Sequence, residues 1–164
     1  DPMMNKDIFG ICEYIINNSN AFIEINTNGS MRDAFWWTNL GYIIKDRGWI
    51  YFCVDGIDQE MHEMYRQKTN LELVLTNMEA YSTFGDAACF TIVFKHNEDH
   101  LEALYKMTED RIGEHEHVFV PSDRAYDLDK FEFNDHKGNQ QFLEHSPKYT
   151  TSVVRNTFNR KGIL

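Results

Sequence analysis

Basic residues are scarce in this chain: 16 lysines and arginines stand against 26 acids in 164 residues, a formal charge of −10. Phosphate affinity needs a basic face, so the composition excludes a general nucleic-acid binder. Long apolar runs are missing too, and none approaches the roughly 20 residues of a membrane span. The opening residues are polar and acidic, unlike an apolar leader, so the expectation is a cytoplasmic protein with no membrane association. Cysteine is sparse. Cys12, Cys53 and Cys89 lie far apart, which suits neither a disulfide framework nor a zinc motif and reads as buried free thiols. Acids disappear after Ser146, where Lys148, Arg155, Arg160 and Lys161 make a basic trailing segment placed to dock on the acidic body.

What is present is strand and helix in alternation, in a length that suits one compact domain. "NKDIFGICEYIINN" carries Ile8, Ile11, Cys12, Ile15 and Ile16 at helical spacing. "AFIEIN" follows as a strand, then "DAFWWTNLGYIIKDRG" as a helix with Asp33 as its N-cap and Gly48 as its stop. "WIYFCV" is the continuous apolar run of a strand buried on both faces. "TNLELVLTNMEAYSTFG" opens with Thr69 and Glu72 in capping-box spacing and ends on Gly85 before the strand "ACFTIVF". "NEDHLEALYKMTEDRIG" begins at an Asn97 cap and ends on Gly113 before "HVFV". Three helices thus stop on glycine, which reaches the left-handed conformation freely, and hand over to a strand. The class predicted is α/β with a parallel sheet. Beyond Pro121 no period is evident, and an extended or irregular region is expected.

In parallel βα architectures ligands gather at the carboxyl ends of the strands. Here those ends are "INTNG", "CVDG" and "FKHNED", which place Asn26, Thr27, Asn28, Asp55, His96 and Asn97 on one rim. Structural roles compete at each position. Asn28-Gly29 and Asp55-Gly56 are turn pairs, Asn97 is a helix cap, and Arg66 is a surface or ion-pairing residue when taken alone. His96 and His100 with Glu98 do not match the spacing of a zinc-protease helix. His115 and His117 would share a strand face, but Glu114 and Glu116 beside them suggest a solvated edge. No metal site is predicted.

The stretches "EINTNGSMRDAFWWTNLGYII", "IYFCVDGIDQEMHEMYRQKTNLELVLTNMEAY" and "FTIVFKHNED" resemble the second half of a radical S-adenosylmethionine core. The likeness is greatest to the branch of peptide-modifying and sulfatase-maturing enzymes, and it runs over about residues 1–125. It implies a partial (β/α)6 barrel over 1–125, with 126–164 as an irregular extension. It also implies S-adenosylmethionine, the small-molecule partner, and a [4Fe-4S] cluster as cofactors, reductive cleavage to a deoxyadenosyl radical, and a peptide or protein substrate. Matched position by position, Asn26, Thr27 and Asn28 form the strand end that approaches the cofactor. Cys53 stands where many relatives have serine, Asp55 is the motif acid, and Arg66 partners the cofactor carboxylate. Asn97 lies on the same rim. Asp1-Pro2 matches the end of the turn that holds the cofactor's amino group.

The resemblance also requires three cysteines spaced C-x3-C-x2-C, because a cluster needs three thiolates from one short loop. Cys12, Cys53 and Cys89 cannot supply them. Together with the start at Asp1, this leads to the expectation of a fragment that is inactive alone. Two alternatives stay open: a degenerate barrel retained as a cluster-free binding module, and an unrelated (β/α) enzyme using Asp55 in acid–base work.

Overall fold

The structure is a computed structural model that describes residues 1–122 and 130–149. After a 3-10 turn at Pro2–Met4, the chain forms α1 (Ile8–Asn18), β1 (Ile23–Thr27), α2 (Ala34–Ile44) and β2 (Gly48–Cys53). Then come α3 (Gln59–Tyr65), α4 (Leu71–Ser82), β3 (Asp86–Val93), α5 (Leu101–Ile112) and β4 (His117–Pro121). The four strands make one parallel sheet in the order β1-β2-β3-β4. The α/β class and the parallel sheet are therefore as the sequence predicts. The described sheet is open, with β1 and β4 as its edges, and it closes no barrel.

Register decides which residues meet the helices. Ile25 lies opposite Ile50, Phe52 opposite Cys89, and Cys89 opposite His117. Ile25, Ile50, Phe52, Val54, Cys89, Val93 and Phe119 join Trp37, Leu40, Ile44, Val74, Met78, Tyr81 and Leu104 in the main core. Trp37 is its centre, fully buried and packed on Phe52 and Tyr81 at ring-centroid distances of 4.9 and 6.3 Å. The residues of opposite parity, Tyr51, Ala88 and Val118, form a separate small cluster to which no helix contributes. One face of the sheet thus carries the helices, and the other does not.

The turn chemistry is only partly as predicted. Asp33 caps α2 by accepting from Trp36 N at 2.8 Å, and Gly113 ends α5 at φ 75°. α2 ends at Ile44, a 3-10 turn continues over Lys45–Arg47, and Gly48 caps that turn and starts β2 in extended backbone rather than in the left-handed region. A Cβ on Gly48 would fall 2.4 Å from Ile23 O, and one on Gly85 would fall 2.5 Å from Tyr81 Cζ. Close neighbours, not a left-handed backbone angle, select those two glycines. The α4 cap is Asn70, one residue past Thr69, and it accepts from Leu73 N at 2.9 Å. Asn97 caps no helix, since α5 begins at Leu101 after His100.

The region after Pro121 holds more order than its composition suggests. β5 (Lys130–Asn134) and β6 (Gln140–Glu144) form an antiparallel hairpin. Its turn is fixed by Asp135 Oδ1, which accepts from Lys137 N and Asn139 N at 2.8 Å each. Lys95 N donates to Glu144 O at 3.0 Å, and Leu143 is buried, so the hairpin is joined to the body. Lys148, the one described basic residue of that tail, pairs with Asp99. Arg155, Arg160, Lys161 and the boundary at 125/126 lie outside the described residues. Among the described residues no helix is long and apolar enough to cross a membrane.

Candidate functional site

At the end of β2 the chain runs Asp55-Gly56 into the short helix α3, capped not by Asp55 but by Asp58, which accepts from Met61 N at 2.8 Å. A Cβ on Gly56 would lie 2.2 Å from His62 N, so glycine lets α3 fold directly onto the strand end. That approach turns His62 inward, where its Nδ1 accepts from Asp55 N at 3.2 Å. Nε2 then carries the imidazole proton, and it is buried without a partner.

Asp55 is wholly buried and its two carboxylate oxygens are divided. Oδ1 accepts from Ile92 N at 2.6 Å, and Oδ2 accepts from Arg66 Nε. Arg66 also donates through Nη1 to Asn28 Oδ1 at 2.9 Å, and its guanidinium lies 4.8 Å from the centre of the Tyr65 ring. Among the described residues nothing accepts from its Nη2. Burial pushes the Asp55 carboxyl above its ordinary value, against the opposing charge and hydrogen bond of Arg66. For Arg66, burial lowers, but the charge and hydrogen bond of Asp55 together with the charges of Cys53 and Tyr65 raise it on balance. A guanidinium keeps its proton, so a buried cation beside Asp55 holds the pair ionised at neutral pH.

Asn97 completes this end of the sheet. Its Nδ2 donates to Asp55 O and Ile92 O at 3.0 Å each, and its Oδ1 accepts from Phe94 N at 2.8 Å. On the β1 side, Asp1 accepts from Thr27 Oγ1 at 3.0 Å and from Asn28 N at 2.7 Å, while Thr27 Oγ1 accepts from Gly29 N at 3.0 Å. Asp1, Thr27, Asn28, Arg66, Asp55 and Asn97 therefore make one continuous hydrogen-bonded chain across three strand ends. Pro2 sits in the exposed turn that Asp1 caps. Asn26 is exposed on the helix-free face, opposite Tyr51. Cys53 is buried in β2 near Arg66 and Asp55, its thiol pushed up to about 11 by burial.

Beside Arg66 a cavity of about 360 Å³ is lined by Asn28, Tyr65, Arg66, Gln67, Phe131 and Phe133. Tyr65 and the two phenylalanines have no place in the sequence reading. The alternation in "KFEFN" and the turn residues of "NDHKGN" were the available signal for the hairpin wall. A guanidinium nitrogen not used by described residues, set among aromatic rings, suits a small amphipathic ligand with a carboxylate. S-adenosylmethionine fits that description. The [4Fe-4S] cluster does not fit: Cys12, Cys53 and Cys89 are free, buried and on three different elements. Three thiolates in one loop cannot be assembled from them.

His115 and His117 depart from expectation. They are buried at 4% and 0% exposure rather than solvated, because α5 lies over this part of β4. Tyr105 of α5 stacks on His115 at 5.2 Å. Their flanking glutamates point to the other parity and misled the reading. No family model, curated protein or solved structure matches this chain.

Proposed function

We propose that the strand-end rim binds S-adenosylmethionine in a partial barrel of the radical S-adenosylmethionine type. Arg66 receives the cofactor carboxylate, and Tyr65, Phe131 and Phe133 flank the purine. The observation that supports this reading is the meeting of the β1 and β2 strand ends on Arg66, whose Nη2 is not used by described residues, at the edge of an aromatic-walled cavity. Asp55 and Asn28 orient the guanidinium, and a charge-assisted bond from a fixed donor is stronger than one from a mobile side chain. The cluster is assigned to no residue here, and the reading requires its ligands from sequence outside these 164 residues.

Calorimetric titration of the 164-residue chain without iron tests the binding step. S-adenosylmethionine should bind with one-to-one stoichiometry. 5′-Methylthioadenosine, which lacks the carboxylate, should bind at least tenfold more weakly. Phe133→Ala, clear of the buried ion pair, should weaken both. Equal affinity for the two ligands, or none for either, overturns the assignment. A second reading, a binding module that never holds a cluster, is favoured by the mutual satisfaction of Asp55 and Arg66 and the separation of the thiols. Cofactor binding combined with no iron uptake by the complete gene product after anaerobic reconstitution would select it.

A further inference from the structure

At the opposite, amino-terminal end of β3 and β4 lies a second cluster, independent of the strand-end reading. Cys89 and His117 are register partners on the helix-covered face, and His115 precedes His117 by two residues. One ligand atom from each lies within 4.8 Å of those of the other two, and all three residues are buried.

The surrounding hydrogen bonds fix the protons on both rings. His115 Nδ1 is 2.8 Å from Gly113 O, a carbonyl that only accepts, so Nδ1 carries the proton and Nε2 presents a lone pair. Thr91 Oγ1 gives its proton to Val54 O at 2.5 Å and so accepts from His117 Nε2 at 2.8 Å. His117 Nδ1 is thereby left as a bare acceptor, fully buried and without a partner among the described residues. Thr108 Oγ1 approaches His115 Nε2 at 3.0 Å, but its single proton has Leu104 O and Tyr105 O as alternatives at 3.1 and 3.0 Å. Met78 Sδ lies 3.4 Å from Cys89 Sγ. Two imidazoles whose far nitrogens are anchored by a carbonyl and a hydroxyl have the outer arrangement of metal ligands.

We propose that Cys89, His115 and His117 form a transition-metal site, with Met78 as a neighbouring soft donor. A thiolate with two imidazoles selects borderline and soft ions of the Zn²⁺ and copper class over Mg²⁺ or Ca²⁺. Bond lengths near 2.0 Å to nitrogen and 2.3 Å to sulfur require donor separations of roughly 3.3–3.7 Å, so the three groups draw in slightly on binding. Both histidines are held neutral by burial, which is the ligating state. Cys89 is a thiol when metal-free, pushed up to about 12 by burial. Binding forms the sulfur–metal bond and releases the thiol proton to solvent. A cavity of about 300 Å³ borders the cluster at His115, and Asp86, Glu114 and Glu116 also line it. Those three acids favour the entry of cations.

The test uses the full 164-residue chain stripped with chelator and titrated with Co²⁺, then Zn²⁺ or Cu⁺. One Co²⁺ per chain with a thiolate-to-cobalt charge-transfer band is expected, displaced by one equivalent of Zn²⁺ or Cu⁺. Whichever ion wins in competition against a common chelator identifies the preferred metal. The band should persist in the Cys12→Ser/Cys53→Ser double variant, which assigns the thiolate to Cys89 even if a Cys89 variant fails to fold. Cys89→Ser should abolish the band, and His117→Gln should weaken binding at least tenfold. No stoichiometric band, or a band lost in the double variant, overturns the proposal.

Discussion

Between Asp55 and Arg66, a carboxylate with no exposure is matched by a guanidinium at 17% exposure, and neither has water as a ready substitute. Removing one partner of such a pair leaves the other buried and uncompensated, at a cost of about 3–5 kcal/mol. Arg66→Met should therefore lower stability by that order in urea unfolding, whereas the double change Asp55→Asn/Arg66→Met should recover much of it. A double variant no more stable than the single one would mean that the pair is not the source of the loss. His62, on the same strand end, adds a pH dependence. Burial, helped by the Arg66 charge, holds it down to about 4 from an ordinary 6.5. Below 6.5 the unfolded chain takes up a proton that the folded chain refuses. The stability is thus fully present above 6.5 and drains as pH falls toward 4, by roughly 3 kcal/mol. Urea midpoints at pH 7.5 and 5.0 should differ in that sense, and His62→Gln, which keeps an acceptor for Asp55 N, should flatten the slope. An unchanged slope in His62→Gln would assign it to other groups.

Among the elements, α2 and α4 meet at a glycine. A Cβ on Gly41 would fall 2.5 Å from Tyr81 O and 3.2 Å from Gly85 N, both backbone atoms that cannot rotate away. Gly41→Ala should cost about 1–3 kcal/mol through forced separation of the two helices, despite the better helix propensity of alanine. A thermal melt of the variant above that of the parent would refute this contact. The element scale is also where the sequence was most and least legible. Helices and strands were visible because apolar spacing changes from a period near four to near-continuous runs, as from α2 to β2. The joints were not. Asn70 displaced Thr69 as cap, and Asn97 turned inward to hold Asp55 O and Ile92 O, because a cap is decided by where the helix axis points after packing. His115 and His117 read as solvated since their glutamate neighbours were visible in the sequence, while the covering helix α5 was a tertiary fact.

For the whole molecule, Thr27, Asn28, Asp55 and Asn97 were legible as one rim, because parallel strands with helical crossovers leave all carboxyl ends on the same side. Asn26, by contrast, lies exposed on the helix-free face, and His96 stacks on Phe94 outside the hydrogen-bonded chain. The wall facing the rim was not legible. Phe131 and Phe133 reach the Arg66 cavity only because the hairpin docks, and that docking depends on contacts far apart in sequence. The buried link is Ser146 Oγ, which donates to Glu98 Oε2 at 2.5 Å, with the two residues at 3% and 8% exposure. Around it lie Lys148–Asp99 and Lys95–Glu144, whose charged groups are largely in solvent. Exposed pairs of this kind are screened by solvent and contribute little, whereas a buried carboxylate that loses its donor costs about 1–3 kcal/mol or more. Ser146→Ala should therefore loosen the hairpin far more than Lys95→Ala. Hydrogen exchange at the Lys95 amide, which donates to Glu144 O, reports that loosening directly. The expected result is at least tenfold faster exchange in Ser146→Ala, and less than threefold in Lys95→Ala. Cofactor affinity should weaken in the same order, since the aromatic wall moves with the hairpin. If exchange accelerates while affinity stays fixed, the hairpin is a peripheral attachment, and the ligand is held by the strand ends alone.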